Sequence, residues 1–430
     1  MRLRPVRSGI GVGSIGSLVS LGSLVSLVCV GLVFLVCLAC SRAGLHHDWQ
    51  GIGPGPILAL VRSDDPGRDH SPRPEDSSAY EVPLREVNDA LTAFLERQRP
   101  LLTELGADMQ PVTAVVEDFV RTGGKRLRPI FAYWGFRGAG GQDSAAVLAA
   151  CASLELIHAC ALVHDDVMDA SDRRRGRPAV HRRMEKLHRD SGWRGDPESF
   201  GEAAAILLGD LLLVWSDTML QTSGVSPTAL ARVAPVWHEM RTELMAGQYL
   251  DVLNQARGGS GVSDALRVAR YKSGKYTIER PLHVGAALAG EDRQSVLTRA
   301  YSEYGLPLGE AFQLRDDVLG VFGDPERTGK PAGDDLREGK RTALVAAALE
   351  RASETQAATL TALLGDPDLD VRGVAVARDI ILETGALQAV ERLIKAGTER
   401  ALSAIRTAPV QPDAREALAQ LATAATQRAV

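Results

Sequence analysis

The residues best placed to do chemistry are His164-Asp165-Asp166-Val167-Met168-Asp169, followed within one loop by Arg174-Arg175-Gly176. They close a Leu- and Ala-rich run from Ala145 to Leu162 whose period predicts a helix, so Asp165 and Asp169, four apart, share one face and Asp166 is the next carboxylate round. Like charges at that spacing cost a helix about 0.2 to 0.5 kcal/mol per pair. A neutralising partner is required. Hard carboxylate oxygens suit Mg²⁺, which takes one or two carboxylates plus substrate phosphates and keeps several waters. A solvated acidic helix end is the plain alternative for one such cluster alone.

A second cluster weakens that alternative. Leu314-Arg315-Asp316-Asp317-Val318-Leu319-Gly320 again puts paired aspartates late in an apolar helical run, Ala311 to Phe322. Helix C-termini disfavour anions, so neither pair reads as a stability device. Two facing carboxylate clusters would hold metal ions between them, and the metals would hold a diphosphate.

At these residues the chain resembles the trans-isoprenyl diphosphate synthases, and bacterial geranylgeranyl diphosphate synthases most. The resemblance spans about Pro83 to Arg428 and implies that both aspartate-rich motifs bind a cluster of several Mg²⁺ ions and an allylic diphosphate. The implied metal ligands are Asp165, Asp166, Asp169, Asp316 and Asp317, with Gln313 near the substrate. Gly320 stands where the family's second motif has a third aspartate, which puts a third ligand there in doubt.

Other motifs fall in the family's order. Gly123-Gly124-Lys125-Arg126-Leu127-Arg128-Pro129 combines two glycines with three cations before a predicted helix, a pocket of diphosphate size. By resemblance Lys125 and Arg128 bind isopentenyl diphosphate with His158, which lies two turns before Asp165. Arg174 would face the allylic diphosphate and Arg175 the isopentenyl diphosphate. Gln248 and Asp251 share a face and match residues that order the metal shell. Lys272-Ser273-Gly274-Lys275-Tyr276-Thr277 interrupts a helical run and resembles the family's Lys-Thr kink, with Lys272 the implied diphosphate ligand. The glycine-rich stretch Gly329 to Thr342 carries Lys330 and Lys340, and such loops close over phosphates.

The surrounding chain must position these groups. Its 430 residues allow one large or two ordinary domains, and the balance of 49 basic against 54 acidic residues, net −5, suggests neither nucleic acid nor an acidic membrane as partner. Helical windows dominate after Pro83 and alternating β-branched runs are scarce, so the fold class is all-α, an antiparallel helical bundle of the isoprenoid-synthase type with a central cavity. Helices are expected over Leu84–Leu105, kinked at Pro100, and over Pro111–Arg121, Ala203–Leu220 and Val225–Ala256. Residues 178–200 read as a surface loop or lid, and Ala343 onward as short helices backing the bundle.

Residues 9–41 are uncharged and follow Arg2, Arg4 and Arg7. That segment, 1–42 in all, reads as a membrane anchor, an export signal or the product of too early a start codon, and these stay open. Residues 43–79 read as a linker without a core, and 80–430 as the catalytic domain. Cys37 and Cys40 read as lipid-facing; Cys151 and Cys160, nine apart on one helix, cannot bridge each other, so the domain is expected reduced and cytoplasmic.

The expected reaction is Mg²⁺-dependent head-to-tail condensation of isopentenyl diphosphate with an allylic diphosphate. A homodimer is expected from the resemblance. Below Asp165 on the same face lie Ala161, Ile157 and Leu154, with Cys160 beside Ala161. In the family, aromatic residues at the two upper positions close the pocket at about fifteen carbons; both are small here, and one turn of about 5.4 Å approximates one isoprene unit. The expected main product is therefore geranylgeranyl diphosphate, with longer polyprenyl diphosphates the alternative. A terpene cyclase has no use for the second, basic pocket, and an inactive partner subunit has no reason to keep both aspartate pairs.

Overall fold

Apolar residues at helical spacing, in several cases opened by a capping side chain or a proline, build the sixteen α-helices found among the described residues, which are 78–258, 261–324 and 333–427 of the computed structural model. The apolar segment at 1–42 and Lys330 lie outside them. Of the linker expected over 43–79, only Ser78 and Ala79 are described, and they open the first helix.

In chain order the helices are α1 Ser78–Glu104, α2 Gln110–Arg121, α3 Leu127–Gly138, α4 Ala145–Met168, α5 Val180–Asp190, α6 Pro197–Gln221, α7 Pro227–Ala256 and α8 Val262–Val268. A π-helical segment, Ala269–Glu279, runs into α9 Arg280–Ala289, then α10 Glu291–Phe322, α11 Asp334–Arg337, α12 Ala343–Arg351, α13 Glu354–Leu363, α14 Val371–Glu383, α15 Ala386–Thr407 and α16 Pro412–Thr426. Ser144 accepts a hydrogen bond from the Val147 amide to start α4, and Asp196 and Ser226 do the same ahead of Pro197 and Pro227. Such caps are each worth about 1 kcal/mol, and proline at the first helical position loses no hydrogen bond.

Helix α1 runs through Pro100 as one element, and one expectation changes. The stretch read as a loop over 178–200 holds α5, whose stripe of Val180, Met184 and His188 is buried. Seven of the eleven residues of α5 are charged or polar neighbours of that stripe, so its period is easy to miss in sequence.

Helix α4 is the axis of the bundle. It packs chiefly on α6, and also on α1, α3 and α9. Most of its side chains are buried, which accounts for its being apolar almost all round. Helices α4 and α6 are long and apolar enough to cross a membrane, but α4 is a core helix by burial. The buried residues form four apolar clusters, one of them joining α3, α4, α7 and α9 beneath the aspartates. The only strand pairing among the described residues is a two-residue ladder, Arg173–Arg174 with Arg177–Pro178. Its turn residues Arg175 and Gly176 have φ of 54° and 74°, as a tight hairpin requires.

The π-helical segment is held between two helices that meet it with glycine. A Cβ on Gly247 of α7 would come within 2.3 Å of the Lys272 amide nitrogen, and one on Gly309 of α10 within 2.5 Å of Gly274 Cα. Those approaches fix where Lys272 stands. Overpacking a close contact costs typically about 1 to 3 kcal/mol. Gly309→Ala is therefore expected to lower unfolding free energy by about that amount in urea titration, and an unchanged midpoint would show the contact to be slack.

Candidate active site

At the C-terminal end of α4 the three aspartates do not share one environment. Asp165 accepts hydrogen bonds from Gln248 Nε2 at 3.0 Å and from Lys272 Nζ at 3.0 Å, and Lys272 also reaches Asp251 Oδ2 at 2.7 Å. Asp169 meets Lys340 Nζ at 2.9 Å. Asp166 is 0 % exposed and accepts a bond from Arg174 Nε at 2.7 Å. Asp165 and Asp169 thus face the cleft as their spacing predicts, whereas Asp166, expected as a metal ligand, holds an arginine. Burial alone would raise the Asp165 carboxyl, but Lys272, Lys340 and Arg174 outweigh it and hold the group well below the usual range.

The second acidic motif comes from α10, which Arg315 pins to α15 through paired bonds to Glu391, both 2.7 Å. Asp316 is partly exposed. Asp317 is buried and accepts a bond from Gln313 Nε2 at 2.9 Å; burial, with Asp335 and Asp316 nearby, pushes its carboxyl up to about 7 against the pull of Gln313. The aspartate absent at Gly320 has a substitute. A Cβ on Gly320 would lie 1.8 Å from Asp335 Oδ2, so α11 inserts a carboxylate where a side chain of α10 would otherwise stand. Lys340 lies between the end of α4 and α11, with Asp169 on one side and Asp335 Oδ1 at 3.9 Å on the other.

Beside this acidic zone lies a basic one. Arg128 donates to Thr277 Oγ1 at 2.8 Å and its guanidinium lies 4.3 Å from the Tyr276 ring centroid. Arg175 donates to the Thr122 carbonyl at 3.0 Å. His158 sits 6.4 Å from Tyr276, ring to ring. Burial lowers the His158 pKa well below its ordinary value, and Arg128, Arg175, Arg174 and Arg126 lower it further. Arg175 is depressed by burial and by Arg126, Arg174 and Arg128, with Glu155 opposing. Crowded, half-desolvated guanidinium groups of this kind are an anion site in waiting.

The two glycines of the basic loop serve a different neighbour from the anion expected of them. A Cβ on Gly123 would meet Arg175 Cδ at 2.9 Å and one on Gly124 would meet Arg175 Nη2 at 2.8 Å, so they make room for an arginine. Lys125 is exposed at the same loop. Arg126, unassigned from sequence, is buried with φ of 48° and donates to Glu155 Oε1 at 2.6 Å and Asn88 Oδ1 at 3.0 Å. Its place as the middle cation of three was the available signal. Lys275 pairs with Glu243 and stays out of the cleft.

On the tail side of α4, Ala161, Ile157 and Leu154 lie in the apolar cluster shared with α7. Cys160 packs in the other cluster, with α1, α2 and α6, and its Sγ is 3.8 Å from His164 Nδ1. It is therefore a wall of the core and not a neighbour of Ala161 on one surface.

A family model described as polyprenyl synthetase matches residues 109–381. The chain is 34% identical to the geranylfarnesyl diphosphate synthase of Aeropyrum pernix, over 70% of this chain and 88% of that enzyme. It is 30% identical to the octaprenyl diphosphate synthase of Escherichia coli, over 76% and 93%. Among solved structures, geranylgeranyl pyrophosphate synthase from Corynebacterium glutamicum, complexed with isoprenyl diphosphate and magnesium, superposes with a TM-score of 0.79 at 44% identity, covering 82% of this chain and 100% of that one.

The unlike surroundings of Asp165 and Asp166 predict unlike mutants. Removing one partner of a buried ion pair costs about 3 to 5 kcal/mol, so Asp166→Ala should unfold at markedly lower denaturant. Asp165→Ala leaves Lys272 its bond to Asp251 and should lose far less. Equal losses in chemical denaturation would mean that both aspartates are structural.

Proposed function

Since this chain belongs to the polyprenyl synthetase family, we propose that it joins isopentenyl diphosphate head-to-tail to an allylic diphosphate, with geranylgeranyl diphosphate as the main product. The observation that carries this reading is the pairing of two anion sites of different kind: carboxylates bridged by Lys272 and Lys340, and, two turns back along α4, arginines gathered round His158. One site suits a metal-bound diphosphate and the other a diphosphate bound directly. A cyclase acting on one diphosphate has no need of the second.

Magnesium suits the first site. Mg²⁺ takes one or two carboxylates, keeps several waters and shares phosphate oxygens, so it needs no closed cage of side chains. Asp165 and Asp169 would hold it from α4, and Asp316, Asp317 and Asp335 from the other side; Asp166 keeps Arg174 in place. When bound, magnesium supplies Lewis-acid stabilisation of the departing diphosphate, worth several kcal/mol.

The chain's own groups do the rest. Lys272, Lys340 and Arg174 add fixed positive charge beside the same oxygens, where a preorganised donor is worth more than in water. Lys330, outside the described residues, is assigned to this group by its motif. Arg128, Arg175, Lys125 and His158 hold isopentenyl diphosphate with its double bond toward the allylic carbon. As the diphosphate leaves, the double bond attacks that carbon, and loss of a proton gives a chain five carbons longer. The small Ala161 at the first level below Asp165 supports a product longer than fifteen carbons.

We assign residues 80–430 as the catalytic domain and place it in the cytoplasm, in keeping with the buried free thiols Cys151 and Cys160. We also assign a homodimer. Adjacent helices α6 and α7 expose Leu207 (68 %), Val214 (56 %), Met245 and Tyr249 (61 %), a run of apolar surface at helical spacing that a second copy would cover.

Two experiments follow. With radiolabelled isopentenyl diphosphate, an allylic diphosphate and Mg²⁺, the wild type should make acid-labile product, and Asp165→Ala should lose about 10³-fold in turnover, the equivalent of about 4 kcal/mol. Full activity in the variant would remove Asp165 from the metal site. Separately, Leu207→Glu with Val214→Glu should halve the mass measured by light scattering on a sizing column, while an unchanged mass would place the interface elsewhere.

A further inference from the structure

Helices α4 and α7 run in the same direction, meeting at the cleft and again near their starts. At the cleft, Gln248 donates to Asp165 at 3.0 Å. At the far end, Gly224, just before α7, lies against the start of α4, where a Cβ on it would be 3.5 Å from Ala146 Cβ. At about 1.5 Å of rise per residue, positions the same number of residues back from Asp165 and Gln248 stand at the same depth. Ala161 therefore faces the level of Leu244 about 6 Å down, Ile157 that of Met240 about 12 Å down, and Leu154 that of Trp237 about 16 Å down. All six belong to one apolar cluster, in which Ala161 is only partly buried.

The residues of α7 at these levels differ in stiffness. Met240 is unbranched, with three rotatable bonds, and repacks readily. Trp237 is 1 % exposed and locked: its indole Nε1 donates to Asp217 Oδ1 at 2.7 Å, Asp217 Oδ2 accepts from Arg241 at 2.7 Å, and the Arg241 guanidinium lies 5.9 Å from the indole centroid. Moving the ring would break a hydrogen bond that also orients an ion pair. A growing apolar tail can displace the thioether but not the indole.

Building on the synthase reading, we propose that Trp237, on α7, is the stop that sets the longest product, and that Met240 above it is a yielding plug. The limit on chain length then lies across the channel from the aspartate helix, on a residue fixed by Asp217 and Arg241.

The test is chromatography of dephosphorylated products beside total isopentenyl incorporation. Trp237→Leu should shift the upper edge of the distribution by at least one five-carbon unit, and Trp237→Phe, which keeps a ring at that level, should not. Met240→Trp should shorten the longest product by one unit. An unchanged distribution in a folded, active Trp237→Leu overturns the proposal. Should that variant fail to fold, Met240→Trp decides: shortening upholds the α7 limit, and unaltered length with normal incorporation overturns it. No incorporation by the wild type would instead overturn the synthase reading, and this proposal with it.

Discussion

The position of the Lys272 ammonium is the constraint on which the site depends. It lies 3.0 Å from Asp165 and 2.7 Å from Asp251, so one cation ties the end of α4 to α7 across the cleft. Burial would lower its pKa, but Asp165 and Asp251 outweigh that and keep it charged. Such placement needs backbone that a regular helix does not supply. The π-helical segment provides it, and glycines on α7 and α10 allow the flanking helices to close on it. Removing the cation would leave Asp165 and Asp169 facing each other on one helix with less to offset them.

Charge separation follows from that placement. Carboxylates and lysines occupy one half of the cleft and arginines the other, and Arg174 lies at the boundary, bonded to buried Asp166 and 3.5 Å from Asp165. In the metal-free protein the lysines neutralise the acids, so neither half is an isolated buried charge, which would cost several kcal/mol. The arginine half is compensated less fully, with Glu155 set against Arg126, Arg128 and Arg175 while Asp166 holds Arg174. An anion in that half would relieve the strain. The two halves together suit two diphosphates that must be recognised differently.

Much of this was legible in the sequence because it is local. The four-residue spacing of Asp165 and Asp169, the Gly123–Pro129 loop and the interruption at Lys272 each carry their signal within a few positions, and all of them reach the cleft. What sequence hid was set by contacts distant along the chain. Arg174, eight residues on, folds back to bond Asp166, which the acidic motif alone does not announce. Gly123 and Gly124 look made for an anion until Arg175 occupies the space. The acid missing at Gly320 returns from Asp335, fifteen positions on, which no local pattern announces. Helix α5 reads as loop in the sequence because its buried stripe is diluted by charge, and Cys160, next to Ala161 in sequence, packs in a different cluster.

The proposed function requires the two acidic helices to take up divalent metal together with a diphosphate, the lysines giving up their carboxylate partners as they do. Equilibrium dialysis with Mn²⁺ as a countable substitute, run with and without inorganic diphosphate, measures it directly. Weak Mn²⁺ uptake alone is expected, and uptake of more than one ion per chain with at least about tenfold tighter binding, about 1.4 kcal/mol, when diphosphate is present. Mn²⁺ binding of the same strength and number in both conditions would contradict it.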